Sequence, residues 1–159
     1  MIRPVPRLAL ALLALLPLSG CMGFDTPGYQ AKGSFPGSGG GSGGGSGYGM
    51  ALLKAANETR LRQGVRELEW DQGLADLAEA HSTDMAQRET MDHAGFETRY
   101  KLSGYRTCVE NVAQAMADPA TVIGLWMDSP GHRANLLNTE VRWVGAARVG
   151  QYVTYLSCR

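Results

Sequence analysis

Three side chains of the sequence have the donor types of a divalent-metal site. They are His93, Glu110 and His132, and 17 and 22 positions separate them (93 to 110 and 110 to 132). Two imidazoles and one carboxylate can bind zinc or another divalent cation and leave one position open for water. Such a site could activate that water, with Glu110 as the candidate base, or simply hold a ligand. Spacing alone does not unite the three, because they fall on separate predicted elements.

His132 follows a Ser-Pro-Gly break within the run Trp126–Leu137. Proline and glycine together end one helix, and the apolar residues on both sides predict a second short helix that begins at once. The turn between them could direct the imidazole into a cleft. It could equally be a packing feature with no chemistry.

The other two histidines are associated with one predicted helix. It begins after Asp71, a good N-cap, and ends near Arg88, and His93 lies in the loop beyond it. His81 belongs to the apolar stripe of this helix, so we expect a core residue hydrogen-bonded to a neighbour rather than a ligand.

Glu110 lies within a predicted strand, Tyr105 to Ala115. A glutamate inside a strand either faces solvent at a sheet edge or turns its charge toward a cleft. The sequence leaves both readings open.

The remaining pattern predicts an α+β domain. Helices are expected from Met50 to about Gly64 and after Asp118-Pro119, the latter with Val122, Leu125 and Trp126 facing one way. Two strands, Trp143–Val149 and Tyr152–Ser157, flank Gly150-Gln151 and predict a tight hairpin. Helices on both sides of a small antiparallel sheet give a three-layer α-β-α sandwich.

The N-terminus predicts a signal peptide over residues 1–20. Arg3 and Arg7 precede the apolar run Leu8–Leu16, and Leu18-Ser19-Gly20 leads into Cys21. This resembles a bacterial lipobox, in which cleavage precedes a cysteine that is then acylated. A transmembrane anchor is the alternative, but a helix of that run would rise only about 14 Å against a bilayer core of roughly 30 Å.

Residues 21–49 are rich in glycine and serine and predict a flexible tether, so the folded domain is expected over residues 50–159. Lipidation would place this domain outside the cytoplasmic membrane, in the bacterial cell envelope. Met22 is not the aspartate that retains some lipoproteins at the inner membrane, so sorting to the outer membrane is favoured, on its periplasmic side or at the surface.

The two cysteines of the domain, Cys108 and Cys158, would meet an oxidising environment there. A disulfide between them would close a loop of about 50 residues and stabilise the fold by roughly 4 kcal/mol. Two separate buried thiols are the alternative.

Charge composition argues against a nucleic-acid partner. The chain has 15 basic and 15 acidic residues, and no run of lysine or arginine could neutralise a phosphate backbone.

Several segments together resemble the SCP domain of the CAP superfamily, which includes cysteine-rich secretory proteins, insect venom antigens and plant pathogenesis-related proteins. The resemblance covers about Ala51 to Cys158. It is carried by motifs in the family's order: Trp70-Asp71, Leu74-Ala75 with Ala78, His93-Ala94-Gly95, Glu110-Asn111-Val112-Ala113, and the whole run Trp126–Leu137.

The resemblance implies an α-β-α sandwich whose cleft is lined by His93, Glu110 and His132, where relatives bind zinc or another divalent cation. It also implies that Asn111, Arg133 and Asn135 are structural neighbours of the cleft. Relatives have been linked to sterol and lipid binding. We therefore expect a module that binds a small hydrophobic or envelope-derived ligand, with a metal-dependent hydrolase and a ligand-free scaffold as alternatives.

Overall fold

The computed structural model describes residues 44–159. The predicted signal peptide, Cys21 and the tether as far as residue 43 lie outside this range. Within it, the chain forms the elements α1 (Gly44–Arg62), β1 (Glu69–Trp70), α2 (Gln72–Arg88), α3 (Phe96–Ser103), β2 (Cys108–Gln114), α4 (Pro119–Asp128), α5 (Pro130–Leu136), β3 (Trp143–Val149) and β4 (Tyr152–Cys158). Among these residues no helix has both the length and the apolar character that crossing a bilayer requires.

The four strands form one sheet in the order β1-β3-β4-β2. The long strands β2, β3 and β4 pair antiparallel, and β3 and β4 form the predicted hairpin, with Gly150 at a φ of 58° in its turn. The short strand β1 pairs parallel with β3. The sheet is therefore mixed, and the prediction of an antiparallel sheet is correct only for its three long strands.

Helices cover both faces of the sheet, which confirms the predicted three layers. Along β3, Val144 and Ala146 enter the main core with residues of α1 and α4, whereas Gly145 meets the backbone of α2 at Leu74 and Ala75. Successive residues of a strand point to opposite faces. The first face carries α1, α4 and α5, and the second carries α2 and α3.

The helices α2 and α4 each begin at an aspartate that caps the first turn. The Asp71 carboxylate accepts a hydrogen bond from the Leu74 N–H at 2.8 Å, and Asp118 accepts from the Thr121 N–H at 2.9 Å. Each satisfies a backbone donor that the first turn of the helix leaves free. Both starts were predicted.

The first helix begins at Gly44, before the predicted domain boundary at Met50. Tyr48 donates a hydrogen bond to the Ala117 carbonyl at 3.2 Å, and Arg148 stacks on its ring at 4.0 Å. Gly49 lies so close to the Ala146 carbonyl that a Cβ there would overlap it. Because of these tertiary contacts, the last residues of the glycine-rich segment, 44–49, belong to the folded domain.

One predicted helix face is wrong in part. Leu125 was expected beside Val122 and Trp126, but it is 53% exposed, and Ile123 is buried in its place. The core contacts α4 on the side of Ile123 because α4 packs against both α1 and α5. The single apolar stripe assumed from spacing does not describe two such contacts.

Candidate functional site

Glu110 is the centre of a buried hydrogen-bonded cluster. Its side chain is 1% exposed and lies on the sheet face that carries α2 and α3. Arg99 Nε donates to Oε2 at 2.7 Å, and Arg99 Nη2 donates to Oε1 at 2.8 Å. His93 Nδ1 lies 2.9 Å from the same Oε1. Of the two predicted environments for Glu110, the structure therefore shows the inward one.

Arg99 is the residue of this cluster that the sequence did not indicate. It lies on α3, an eight-residue helix that was also not predicted, and its side chain is 10% exposed. A third hydrogen bond runs from Nη1 to the carbonyl of Ala94, beside His93, at 2.7 Å. The Arg99 guanidinium thus connects α3 to the loop that carries His93 and to strand β2. The sequence signal was indirect: Gly95 and Gly104 bracket the helix in left-handed conformations.

The two histidines near Glu110 differ in exposure. The His93 side chain is 50% exposed, at the mouth of the cluster. His81 is buried, with Nε2 at 2.9 Å from the Asp92 carbonyl and 3.9 Å from Glu110 Oε1. Burial lowers the pKa of His81, and the nearby Arg99 charge lowers it further. The prediction that His81 is a hydrogen-bonded core residue is confirmed.

His132 lies by the other face of the sheet. Glu110 and Asn111 are neighbours on β2 and point to opposite faces, and Asn111 Nδ2 donates to the His132 carbonyl at 2.9 Å. The His132 ring is 6.5 Å from that of Trp126. Burial lowers the pKa of His132, and the neighbouring His93 imidazole lowers it further. The imidazoles of His93 and His132 thus approach the β2 edge from different layers.

This arrangement does not fit the predicted three-ligand metal site. Both oxygens of Glu110 accept hydrogen bonds from Arg99, so a metal ion would have to compete with a guanidinium for the carboxylate. Within residues 44–159 no group of three or more histidine, cysteine, aspartate or glutamate side chains is placed to share a metal ion. Zinc binding stays a prediction for metal analysis to test.

The motif around His132 covers the free edge of β2. Asn135 Nδ2 donates to the Glu110 carbonyl and to Asn111 Oδ1, both at 3.0 Å, and Trp126 Nε1 donates to the Val112 carbonyl at 3.1 Å. An uncovered strand edge invites pairing with another chain. Asn111 and Asn135 therefore position the cleft, in keeping with the structural role that the resemblance implied.

Arg133 also has a local role in this motif. Its Nε donates to the Met127 carbonyl, near the end of α4. The bond links the two helices on either side of the Ser-Pro-Gly break, so Arg133 too is a structural neighbour of the cleft.

A small cavity opens beside the β2 edge, between the two histidine-bearing layers. Its volume is about 210 Å³, and its walls are His93, Phe96, Cys108, Val109, Glu110 and Asn135. Cys108 is joined to Cys158 with an S–S distance of 2.03 Å, as one of the two alternatives predicted. The cavity thus combines the apolar side chains of Phe96 and Val109 with a half-exposed imidazole, and its cysteine is not a free thiol.

Comparison with known proteins identifies a family. Residues 53–159 match the CAP family, described as the cysteine-rich secretory protein family. Two Bacillus subtilis proteins are each 32% identical: the uncharacterized protein YkwD, over 64% of this chain and 42% of its own length, and the uncharacterized membrane protein YlbC, over 65% and 32%. The chain therefore spans less than half the length of these relatives.

Solved structures share the fold. An extracellular SCP-domain protein from Bacillus anthracis superposes with a TM-score of 0.68 at 28% identity, covering 72% of this chain and 41% of its own. A cysteine-rich secretory protein from Staphylococcus aureus gives 0.65 at 23% identity, covering 72% and 38%. An outer surface protein from Borrelia burgdorferi gives 0.62 at 21% identity, covering 68% and 89%.

Proposed function

The chain belongs to the cysteine-rich secretory protein (CAP) family, and from this premise we propose that it is an extracytoplasmic binding module of the bacterial cell envelope. Its cleft takes one apolar end of a small envelope-derived molecule, and a lipid on Cys21 tethers the domain to a membrane. The family match and the extracellular and outer-surface relatives support the location.

The cavity at the β2 edge is the observation that carries the binding proposal. At about 210 Å³ it is smaller than the roughly 300–1,000 Å³ typical of drug-sized ligands. It suits one apolar group, which would contact Phe96 and Val109. The half-exposed imidazole of His93 and the side-chain oxygen of Asn135, whose Nδ2 is already bonded to β2, are available for the polar part of the same molecule.

Hydrolysis is less favoured in the same cleft. A general base needs a free lone pair within reach of the proton it takes. Arg99 donates to two of the roughly four lone pairs of the Glu110 carboxylate, and His93 Nδ1 lies 2.9 Å from Oε1, so few remain free. Cys108, the cysteine of the lining, is in a disulfide. The groups that remain at the mouth recognise a ligand more readily than they activate water.

Native mass spectrometry tests the binding proposal. We expect the full chain, extracted from the membranes of the expressing cells and purified in a non-denaturing detergent, to carry a small-molecule adduct. V109F fills the cavity and should lose the adduct, whereas L125F adds the same ring on an exposed helix face and should keep it. An adduct that survives in V109F, or a bare wild-type chain in repeated preparations, contradicts the proposal.

Cell fractionation tests the tether. The wild-type chain should sediment with membranes and incorporate radiolabelled palmitate, and C21A should incorporate none, because a lipobox without its cysteine has no thiol to acylate. K54M, a change of an exposed residue of α1, is the matched control and should behave as wild type. Palmitate incorporation by C21A equal to that of the wild type would reject a lipid on Cys21.

A further inference from the structure

The Glu110 carboxylate already has a cation. Arg99 approaches it through two donors at 2.7 and 2.8 Å, with side-chain exposures of 10% for the arginine and 1% for the glutamate. Paired, parallel N–H···O bonds between guanidinium and carboxylate are among the strongest side-chain contacts. Arginine keeps its proton at every ordinary pH, so this positive charge is permanent.

A divalent ion at the same carboxylate would meet two obstacles. It would have to compete with the hydrogen bonds that both oxygens accept, and it would lie beside a buried guanidinium of the same sign, where the low dielectric strengthens repulsion. Arg99 cannot easily withdraw, since Nη1 also donates to the Ala94 carbonyl at 2.7 Å. The loop that carries His93 holds the arginine in place.

We propose that Arg99 takes the place of a metal ion in this cleft, neutralising Glu110 and anchoring the His93 loop, so that the wild-type domain binds no zinc through these residues. The inference concerns the same cleft as the proposed function but does not rest on it. Loss of a ligand from the cavity and gain of zinc are separate measurements, so either proposal can fail alone.

The inference predicts that removing the arginine creates a zinc site. Losing an outer partner that supports a metal ligand costs about 10- to 100-fold in metal affinity. Arg99 instead competes with the metal for the ligand, so its removal should act in the opposite direction, and R99M should bind Zn²⁺ at least about 10-fold more tightly than wild type. R99M/E110Q lacks the carboxylate and should not gain affinity. K101M removes a cation from the same helix, where Lys101 pairs with Glu97 in solvent, and should match wild type.

The experiment is a zinc titration of the purified full chain against a chromophoric chelator. Wild type and an H93A/H132A variant should compete with the chelator for zinc equally weakly. The zinc that H93A/H132A binds measures binding elsewhere in the chain, and this amount is subtracted from that of the other variants. Gain of affinity in R99M that disappears in R99M/E110Q supports the inference. Zinc binding by wild type that is lost in H93A/H132A overturns it, as does a folded R99M that binds no more zinc than wild type.

R99M leaves a buried carboxylate unpaired and can fail to fold in metal-free buffer. In that case it is refolded with and without zinc and followed by circular dichroism. Folding that requires zinc supports the exchange of arginine for metal, since metal binding then supplies folding free energy. Failure to fold in both buffers contradicts it.

Discussion

Replacing Glu110 with glutamine should destabilise the domain far more than the same change at Glu69. Both glutamates accept two hydrogen bonds from one arginine, Glu110 from Arg99 and Glu69 from Arg142. The Glu110 side chain is 1% exposed and that of Glu69 is 54% exposed. Burial is thus the main difference between the two pairs.

The magnitudes follow from that difference. Removing one partner of a buried ion pair costs about 3–5 kcal/mol, because the other charge stays buried and uncompensated. Glutamine keeps one carbonyl oxygen for Arg99, so we expect the lower end, about 3 kcal/mol, for E110Q. An exposed pair contributes at most about 1 kcal/mol, so E69Q should lose no more than that.

Urea unfolding of the full chain, with equal slopes required for all variants, measures both changes. A double variant, R99M/E110M, separates charge from packing: it should recover most of the loss, because an apolar pair leaves no buried charge. Equal losses in E110Q and E69Q would refute the ion-pair account. So would a double variant less stable than E110Q, which would assign the loss to packing.

Three further predictions use the same unfolding assay. The C108A/C158A variant should lose about 4 kcal/mol, since the disulfide closes a loop of 50 residues; an unchanged midpoint would show that it constrains little. N135A should lose about 1–3 kcal/mol, because a buried strand-edge carbonyl loses its donor; a loss within error would leave the edge satisfied by other means. G145A should cost at least about 3 kcal/mol because its Cβ would overlap the backbone of α2, whereas G124A, with open space around it on α4, should gain about 0.5–1 kcal/mol; a G145A as stable as the wild type, or a G124A that loses as much as G145A, would contradict the packing described.

The parts of the fold that the sequence predicted are those with local causes. Asp71 and Asp118 bond to the helix starts three residues ahead, and Gly150 turns one strand directly into the next. Such signals act over a few positions and need no tertiary information. The disulfide followed from composition and compartment, since the domain offers one possible pair.

The parts that were missed depend on contacts between distant segments. The short helix α3 has no strong apolar periodicity, and its main anchor is the ion pair of Arg99 with a strand 11 positions away. The start of α1 at Gly44 depends on packing against β3. Propensity does not report either contact, because both gain their stability from tertiary packing.

The different environments of Glu110 and Asn111 could have been inferred in part. Adjacent residues of a strand face opposite sides, so Glu110 and Asn111 cannot both point into one layer. The sequence does not say which layer holds which helix, and only the fold places α5 on the side of Asn111. Three metal-binding residue types in a family's order therefore did not reveal that Arg99 pairs with the Glu110 carboxylate.

Native mass spectrometry of the wild-type full chain before and after dialysis against EDTA shows whether the cleft binds a small molecule without a metal ion. Because Arg99 already neutralises the cleft carboxylate, the proposed ligand should not require zinc. We expect a small-molecule adduct without a zinc mass, retained in full after EDTA. A zinc mass that EDTA removes together with the adduct would contradict this expectation.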